Sequence, residues 1–245
     1  MTHTMTLNET KSLAAINWVD QHKNTQSFHQ KMKQLPDESI DNIIPKSISH
    51  EHSNAEISPY AQGMQLILMS PAHPERKSIE RFIQTGYKQH FNANLMTFFP
   101  VILVIKELET SRILGAVGLR YAKQQQLFSE NYLNGKIENL LAEHENIEVL
   151  RQHIIELGHF VVAQSTDVNV VIPMVGQFLK KLDVKWAVYT LSRPIKVAFQ
   201  RLGIKLLHLQ HAHPDALTHS QTDWGRYYDY KPAVYYSNIL TNMNS

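Results

Sequence analysis

One segment, Arg151 to Gln164, constrains the fold of this chain more than any other. Its residues are largely apolar, several of them are β-branched, and none is proline. This composition predicts a strand that is covered on both faces of a sheet. Three residues interrupt the apolar run. Glu156 and His159 are ionisable, and Gly158 between them is a poor strand former that indicates a bulge or the close approach of a ligand.

A charged side chain in the middle of a buried strand is costly unless it is paired or used in function. Buried carboxylates and imidazoles are common at catalytic centres, although structural ion pairs give the same sequence pattern. We therefore interpret this segment as the central strand of an enzyme active site.

The composition excludes several classes of site and partner. The 245-residue chain has no cysteine, which excludes disulfides, thiolate metal sites and a cysteine nucleophile. Its formal net charge of +2 gives no strong attraction to nucleic acid or to an anionic membrane. Met1 to Asn24 lacks the apolar core of a secretory signal, and no apolar run approaches the roughly 20 residues of a transmembrane span. We expect a soluble, cytoplasmic protein that binds no nucleic acid.

The chain divides into an extension and one folded domain. Residues 1–60 are polar and rich in serine and histidine, so this N-terminal extension is predicted to be partly disordered or helical. A loose amphipathic helix is predicted between Leu7 and Leu35. The folded domain is predicted to cover residues 61–245.

Hydrophobic periodicity predicts six strands and five helices in the domain. Hairpin and crossover connections occur together, which predicts an α/β (α+β) fold with a mixed central sheet flanked by helices on both faces. Pro173 is expected in the first turn of its helix, where proline is tolerated. The predicted strands cover residues 64–69, 101–106, 112–121, 151–164, 184–190 and 204–209, and the predicted helices cover residues 75–91, 127–133, 137–141, 170–182 and 193–202.

Several stretches resemble known acyl-transferring families. Ala198 to Ile204 resembles the glycine-terminated helix of GNAT-type acyltransferases. Leu114 to Arg120, followed by Leu127 to Leu133, resembles a strand and loop of acyl-homoserine-lactone synthases, and Glu156 to Val162 aligns with their Glu-x-x-Arg-apolar strand. From about Glu75 to Tyr236 the chain is identified as a member of the thermostable hemolysin family, which is related to both. The motifs of this resemblance are Phe128-x-x-x-Tyr132-Leu133, Ile155-Glu-Leu-Gly158, Trp186-x-x-Tyr189-Thr190, Phe199-x-Arg-Leu-Gly203 and Trp224-Gly-x-Tyr-Tyr228-x-x-x-Pro232-x-Val234.

The resemblance implies a GNAT-like single domain that moves a fatty acyl group to an amine, for example an amino acid, by direct attack. The donor is then an acyl-carrier-protein or coenzyme A thioester, used as a co-substrate, and no tightly bound cofactor is expected. Lactone synthases hold S-adenosylmethionine with acidic residues in a segment that here, at Phe91 to Pro100, has no carboxylate. His159 also replaces the arginine of their motif. S-adenosylmethionine is therefore not expected as the acceptor.

Glu156 and His159 are the predicted catalytic residues. Such a transfer requires a group that deprotonates the amine, and a carboxylate whose pKa is raised by burial suits this role. Glu156 is assigned as that base or as the ligand of the acceptor ammonium, with a structural ion pair to Arg120 or Arg151 as the alternative. His159 could share the proton transfer, because the pKa of imidazole lies near neutrality. The alternative for His159 is a core histidine bonded to a carbonyl.

Arg120, Tyr227 and Tyr228 are assigned to substrate binding. Arg120 is expected either to bind the carboxylate of the acceptor or to pair with Glu156. The two tyrosines are expected to line the acyl pocket or to protonate the leaving thiolate, and simple packing is the alternative.

Tyr132, Phe160 and Arg81 complete the substrate-binding assignments, and a solvated helix face is the alternative for Arg81. A basic cluster around the last two helices is expected to receive an acyl carrier protein or the phosphates of coenzyme A, with a solvated surface as the alternative. Arg193, Lys196 and Arg201 are assigned to this contact.

Three histidines raise the alternative of a metal site. Alternation along a strand places His211 and His213 on one face and His208 on the other, with no further ligand at a fixed spacing. No metal is therefore predicted.

Two other functions remain open. One is a membrane-active hemolysin or effector, as the family name implies, although the sequence shows neither a secretory signal nor a spanning segment. The other is an inactive GNAT-like domain that only binds.

Overall fold

Seven strands form one sheet in the computed structural model, which describes residues 62–217 and 222–241. The predicted extension of residues 1–60, with its helix between Leu7 and Leu35, lies outside these residues. The strands are β1 (Met64–Met69), β2 (Val101–Glu107), β3 (Ile113–Tyr121), β4 (Ile154–Val162), β5 (Trp186–Leu191), β6 (Leu207–His211) and β7 (Ala233–Asn238). Across the sheet their order is β1-β2-β3-β4-β5-β7-β6, which places β4 at the centre.

The sheet is mixed. β4 and β5 run parallel, whereas every other neighbouring pair is antiparallel. Parallel neighbours need a crossover connection, and a helix over residues 168–180 supplies it. The predicted fold class, α+β with a mixed central sheet, is therefore confirmed.

Four α-helices cover the two faces of this sheet. They are α1 (Arg76–Phe91), α2 (Ile137–Glu145), α3 (Val168–Lys180) and α4 (Arg193–Arg201). Helices α1 and α2 pack on one face, and α3 and α4 pack on the other. Alternate residues of β2 therefore point to opposite cores: Leu103 faces the α3 side and Val104 the α1 side. None of the described helices is long and apolar enough to cross a membrane.

The seventh strand is an addition to the six predicted from the sequence. β7 lies between β5 and β6 and pairs with both. Val234, Tyr235 and Tyr236 are good strand formers. The strand is only six residues long, however, and it follows an irregular aromatic stretch that masks its alternation.

Two local predictions were wrong. Residues 127–133 form a packed loop in which only Ser129–Asn131 makes a turn of 3-10 helix. Helix α3 begins at Val168, so Pro173 lies inside it rather than in its first turn. The helix starts early because the Asp167 carboxylate accepts the N–H of Gln164 and caps the preceding turn.

Between two paired positions, β4 has one residue more than its partner β3. Gly118 lies opposite Gly158 and Ala116 lies opposite Val161, so Val117 faces two residues of β4 instead of one. This is a β-bulge, which bends the strand and interrupts the alternation of its side chains.

The bulge brings Glu156 and His159 to the same face of the sheet. A spacing of three residues would place the two side chains on opposite faces of a regular strand. His159 instead adopts a φ of 50°, in the left-handed region where histidine is enriched among non-glycine residues. Its ring lies 6.2 Å from that of Tyr87 in α1, on the side to which Glu156 also points.

Phe99 lies on the pair of glycines at the bulge. A Cβ added to Gly158 would come within 2.7 Å of the Phe99 ring, and one added to Gly118 within 2.9 Å of Phe99 Cβ. Arg76 of α1 fixes this segment by donating hydrogen bonds to the carbonyls of Phe99 (2.6 Å) and Pro100 (3.0 Å). The two glycines therefore leave the space that the ring, which is only 4% exposed, occupies.

We expect Gly158→Ala to lower the free energy of unfolding by about 1–3 kcal/mol, because the added methyl group would overlap Phe99. Chemical denaturation of the full chain measures this cost. Phe99→Leu removes the ring, so the glycine substitution should cost less in that background than in the wild type. Equal costs in the two backgrounds would contradict the packing argument.

Candidate active site

β4 and β5 separate near the centre of the sheet. Their parallel pairing joins Ile154–Leu157 to Trp186–Tyr189 and then ends, although β4 continues to Val162 and β5 to Leu191. Neighbouring strands normally stay about 4.8 Å apart and use their backbone groups on each other. Here a gap opens, and backbone groups on its sides have no strand partner.

A cavity that we call the cleft cavity occupies this gap. It encloses about 810 Å³, counting the part that is open to solvent. The second halves of β4 and β5, the end of α1 and the start of α4 surround it. Its walls are mostly apolar or aromatic and include Phe91, Phe160, Leu191, Ile195, Phe199 and Tyr230.

A second cavity, which we call the acid cavity, lies beside Glu156 on the face of α1 and α2. It encloses about 540 Å³ on the same basis. Both cavities are lined by Gly158, His159, Thr190 and Tyr227, so they adjoin at the bulge. The remaining walls of the acid cavity include Phe99, Arg120, Phe128, Tyr132, Thr222 and Trp224.

Glu156 is buried, with 1% of its surface exposed, and two backbone amides hold its carboxylate. The N–H of Ser129 donates to Oε1 (2.6 Å) and the N–H of Phe128 donates to Oε2 (2.7 Å). Burial raises the pKa of this carboxyl, while the two amides and Arg120 oppose the rise without cancelling it. A carboxylate with a raised pKa is a stronger base than an ordinary one.

The ion pairs considered from the sequence do not form between these described residues. Arg151 pairs with Glu130 (2.7 Å) and Glu138 (2.6 Å) instead of Glu156. Arg120 influences Glu156 through its charge, but its one hydrogen bond goes to the carbonyl of Gln126 (3.4 Å).

His159 is enclosed by aromatic rings. Its ring centroid lies 4.7 Å from that of Phe99, and the side chain is 9% exposed. Burial, followed by the nearby charges of Arg120 and Arg76, lowers the pKa of His159 to about 3. The ordinary pKa of a free imidazole, on which the predicted proton transfer by His159 rested, does not apply here, because the surroundings exclude water and contain two cations. The imidazole is neutral at physiological pH.

Arg120 also lies in a low-polarity setting. Its guanidinium carbon is 4.3 Å from the ring centroid of Phe99, a cation–π contact. Burial lowers the pKa of Arg120 from its usual value. Its Nε is buried without a hydrogen-bond partner.

Unpartnered polar atoms are concentrated around the acid cavity. A buried polar atom without a partner costs about 1–3 kcal/mol, so a group of them in one place indicates a site for a polar ligand. Four residues that line the acid cavity contribute such atoms, namely Arg120 Nε, His159 Nδ1, Thr190 Oγ1 and Trp224 Nε1.

Two of the assigned tyrosines bond to each other through their hydroxyl groups, and the third bonds to the backbone. The hydroxyl groups of Tyr132 and Tyr228 are 2.8 Å apart, and Tyr227 donates to the carbonyl of Thr190 (3.2 Å). Burial raises the pKa of all three hydroxyls, so each carries its proton at neutral pH. Tyr132 lines the acid cavity and Tyr227 lines both cavities.

The structure does not bring every predicted residue to these cavities. Arg81 is exposed on α1 and donates to the carbonyl of Lys77, so it lies on the solvated helix face. Arg193 is exposed at the start of α4, beside the cleft cavity. Arg201 is exposed at the other end of α4, and the Lys196 ammonium lies 5.1 Å from the ring of Tyr235.

The alternation assumed for the three histidines near β6 was wrong. A register shift between His208 and Gln210 brings the rings of His208 and His211 to 4.9 Å. In residues 62–217 and 222–241, no group of three or more histidine, cysteine or acidic side chains is placed to hold a metal ion.

Several residues that line the acid cavity were not assigned to the site from the sequence, among them Phe99, Phe128, Thr190 and Trp224. Phe128, Thr190 and Trp224 belong to motifs of the family resemblance, and their place in those motifs could have identified them as site residues. Phe99 lies in none of these motifs, and its position in the cavity depends on two glycines in β3 and β4.

We expect the His159 imidazole to stay neutral from about pH 8 down to about pH 5, since burial disfavours its charged form. Proton NMR of the imidazole resonances across this range is the measurement. His159→Asn, which tolerates the same left-handed backbone, assigns the signal by its loss. A His159 resonance that titrates near neutrality would contradict the geometry.

Solved structures with similar folds are distant in sequence. The AHL synthase LasI is 11% identical, with a TM-score of 0.47 over 72% of this chain and 90% of LasI. FeeM, an N-acyl amino acid synthase from uncultured soil microbes, is 10% identical, with a TM-score of 0.43 over 73% of this chain and 94% of FeeM. A protein described as an N-acetyltransferase from Lactobacillus plantarum is 8% identical, with a TM-score of 0.42 over 72% and 99% of the two chains.

No curated protein sequence matches this chain. The sequence profile of the family described as thermostable hemolysin, in contrast, matches residues 69–243, well over half of the chain. The match includes β2 to β7 but only the last residue of β1, Met69, and it covers both cavities. The chain therefore belongs to the thermostable hemolysin family.

Proposed function

We propose that the protein is an N-acyltransferase that moves a fatty acyl group from a thioester to an amine by direct attack. The observation that carries this proposal is the meeting of the two cavities at the bulge, where Glu156 lies on one side and an apolar cleft on the other. Such a reaction needs two substrates to meet at one point with a base beside the nucleophile.

The cleft cavity is the proposed site of the thioester and its acyl chain. Its apolar walls suit a hydrocarbon chain, and it runs between the parts of β4 and β5 that do not pair with each other. His159 and Phe160 lie in the bulge, between the residues that pair with β3 and beyond those that pair with β5. Their backbone amides are candidates to polarise the thioester carbonyl.

Glu156 is the proposed base. The acceptor arrives as an ammonium in the acid cavity, and Glu156 takes its proton, directly or through a water. The amine nitrogen then attacks the thioester carbonyl carbon, a C–N bond forms, and the C–S bond breaks. The second proton that the nitrogen loses replaces the one given to the leaving thiolate. Tyr227 lines both cavities and keeps its proton at neutral pH, so it is a candidate to protonate the leaving thiolate. His159, being neutral, is assigned to hydrogen bonding within the site rather than to proton transfer.

Arg120 is the proposed binding group for a carboxylate on the acceptor. Its Nε lacks a partner although it is buried, and a carboxylate would satisfy it. An acceptor that gives a carboxylate to Arg120 and an ammonium group to Glu156 is a zwitterion. This combination supports an amino acid as the acceptor.

The thioester carrier is proposed to contact the start of α4. Ser192, Pro194 and Ile195 line the cleft cavity, and Arg193 is exposed between them. The positive end of a helix and an arginine both favour a phosphate group, which coenzyme A and acyl carrier protein share. Arg201 and Lys196 lie further along α4. They are proposed to contact the surface of an acyl carrier protein. These thioesters are made in the cytoplasm, and the proposal places the protein there.

The family description favours a second candidate, lysis of membranes by the protein itself. An acylated amphiphile made by the enzyme would also lyse membranes. The two cases differ in one respect: lysis by an acylated product requires a thioester, and lysis by the protein itself does not.

We expect the full-length protein to release free thiol from acyl thioesters in the presence of an amino-acid panel. Glu156→Gln should lower kcat by about 10²–10⁴-fold, because an amide cannot accept the proton. Glu107→Gln, which removes a carboxylate from a surface ion pair outside both cavities, is the matched control and should keep wild-type activity.

Activity of the wild type should fall on acidification at a pH above the ordinary range of a glutamate, because burial raises the pKa of Glu156. Full activity of Glu156→Gln would show that Glu156 is not the base of the reaction. Lysis of red cells by pure protein without thioester would support the second candidate. Tight binding of thioester without turnover would indicate an inactive binding domain.

Arg120→Gln should raise KM for an amino acid by about tenfold or more, since it removes a charged hydrogen-bond donor. KM for the amine made from that amino acid by decarboxylation should change little. Steady-state assays of the wild type and the variant, with each acceptor in turn, measure these KM values. An equal effect on the two acceptors would show that Arg120 does not bind the carboxylate.

A further inference from the structure

The turn that holds Glu156 is itself held by another carboxylate, that of Glu130. The Glu130 side chain is 6% exposed, and both of its oxygens accept backbone hydrogen bonds. Oε2 accepts from the N–H of Leu127 (2.8 Å), and Oε1 accepts from the N–H of Ile137 (3.1 Å). Leu127 directly precedes Phe128 and Ser129, whose amides bind Glu156.

Arg151 holds Glu130 in place with a two-fold contact. Its Nη1 donates to Oε1 (2.7 Å) and its Nη2 donates to Oε2 (2.8 Å). The Nε of Arg151 also donates to the carbonyl of Ala122 (2.8 Å), and Glu138 adds a second carboxylate at 2.6 Å. A planar guanidinium in this arrangement fixes both the distance and the orientation of the carboxylate.

The contacts form a closed ring. Arg151 lies in the 3-10 turn that leads directly into β4, the strand that carries Glu156. The ring runs from Arg151 to Glu130, through the backbone from Leu127 to Ser129, and back to β4 through Glu156. A change at the Arg151 end therefore reaches the carboxylate through one short turn.

We propose that Glu130, held by Arg151, is a positioning residue that fixes the 127–131 turn so that the amides of Phe128 and Ser129 point at the Glu156 carboxylate. Neither residue contributes a wall to the acid cavity. Their role in the reaction rests on the proposed function, whereas their role in holding Glu156 does not.

Loosening this turn has a defined electrostatic consequence. The two amides favour the charged form of Glu156, so their withdrawal would raise its pKa further. The other charged or titratable groups that face Glu156 are Arg120 from β3 and Tyr132 from the loop. His159 on its own strand is neutral, and the residue opposite on β5 is Val188, which does not titrate.

A matched control exists at the other end of β4. Asp167 accepts the backbone N–H of Gln164 and pairs with Arg112 (2.9 Å), and its side chain is 8% exposed. It therefore reproduces the contacts of Glu130, a buried carboxylate joining an arginine to a 3-10 turn. It lies outside both cavities and does not contact the turn that binds Glu156.

The test compares Glu130→Ala with Asp167→Ala across a pH series of kcat/KM. On the acidic side Glu130→Ala should lose about tenfold relative to wild type, the equivalent of one charge-assisted hydrogen bond. At alkaline pH, where Glu156 is ionised in both proteins, the two rates should agree within about twofold. Asp167→Ala should leave the shape of the profile unchanged. Glu130→Gln keeps an acceptor for Leu127 N–H and should show a smaller acidic loss; it replaces Glu130→Ala if that variant does not fold.

A measurement without turnover separates this inference from the proposed function. Infrared spectra detect the C=O stretch of the protonated Glu156 carboxyl, which Glu156→Gln assigns by difference. That band should persist to higher pH in the Glu130 variant than in wild type or Asp167→Ala. The inference is overturned if the band titrates identically in all three proteins, or if Glu130→Ala loses the same activity at every pH. If the band shifts and no acyl transfer is found, the positioning role stands and the enzyme assignment fails.

Discussion

One extra residue in the central strand determines the geometry of everything around it. The bulge in β4 inverts the alternation of side chains, so that Glu156 and His159 share a face. It also coincides with the point where β4 and β5 part, and that separation creates the cleft. The glycine pair at the bulge then admits Phe99, whose ring forms a wall for His159 and Arg120. A regular strand of the same composition would bury these polar groups on opposite sides of a closed sheet.

The carboxylate of Glu156 is tolerated in this core because backbone groups solvate it. Two amides replace the water that burial removes, and a cation lies nearby without neutralising it. An intimate ion pair would have stabilised the charge more strongly, but it would also have made the carboxylate a weaker base. Hydrogen bonds from a braced turn give an intermediate result: the group stays buried and oriented, and its pKa stays above the ordinary value.

The sequence predicted what depends on local pattern. Six of the seven strands, the four α-helices and the mixed sheet follow from periodicity, and the buried position of Glu156 follows from its apolar neighbours. Long-range features were not available. The pairing of Arg151 with Glu130 rather than Glu156 depends on where a loop folds back. The low pKa of His159 depends on rings from α1 and from residue 99, and the place of Phe99 depends on glycines in two other strands.

The position of β7 has a consequence for how the chain acquires its structure. β6 is made earlier than β7, yet it reaches the sheet only through β7, which separates it from β5. Trp224 and Tyr227, which close the acid cavity, also follow β6 in the chain. During synthesis the first five strands can associate before β7 is made, while β6 has no strand to pair with. Unpaired strand edges favour aggregation. A chain that stopped before Trp224 would therefore lack both a finished sheet and a closed pocket.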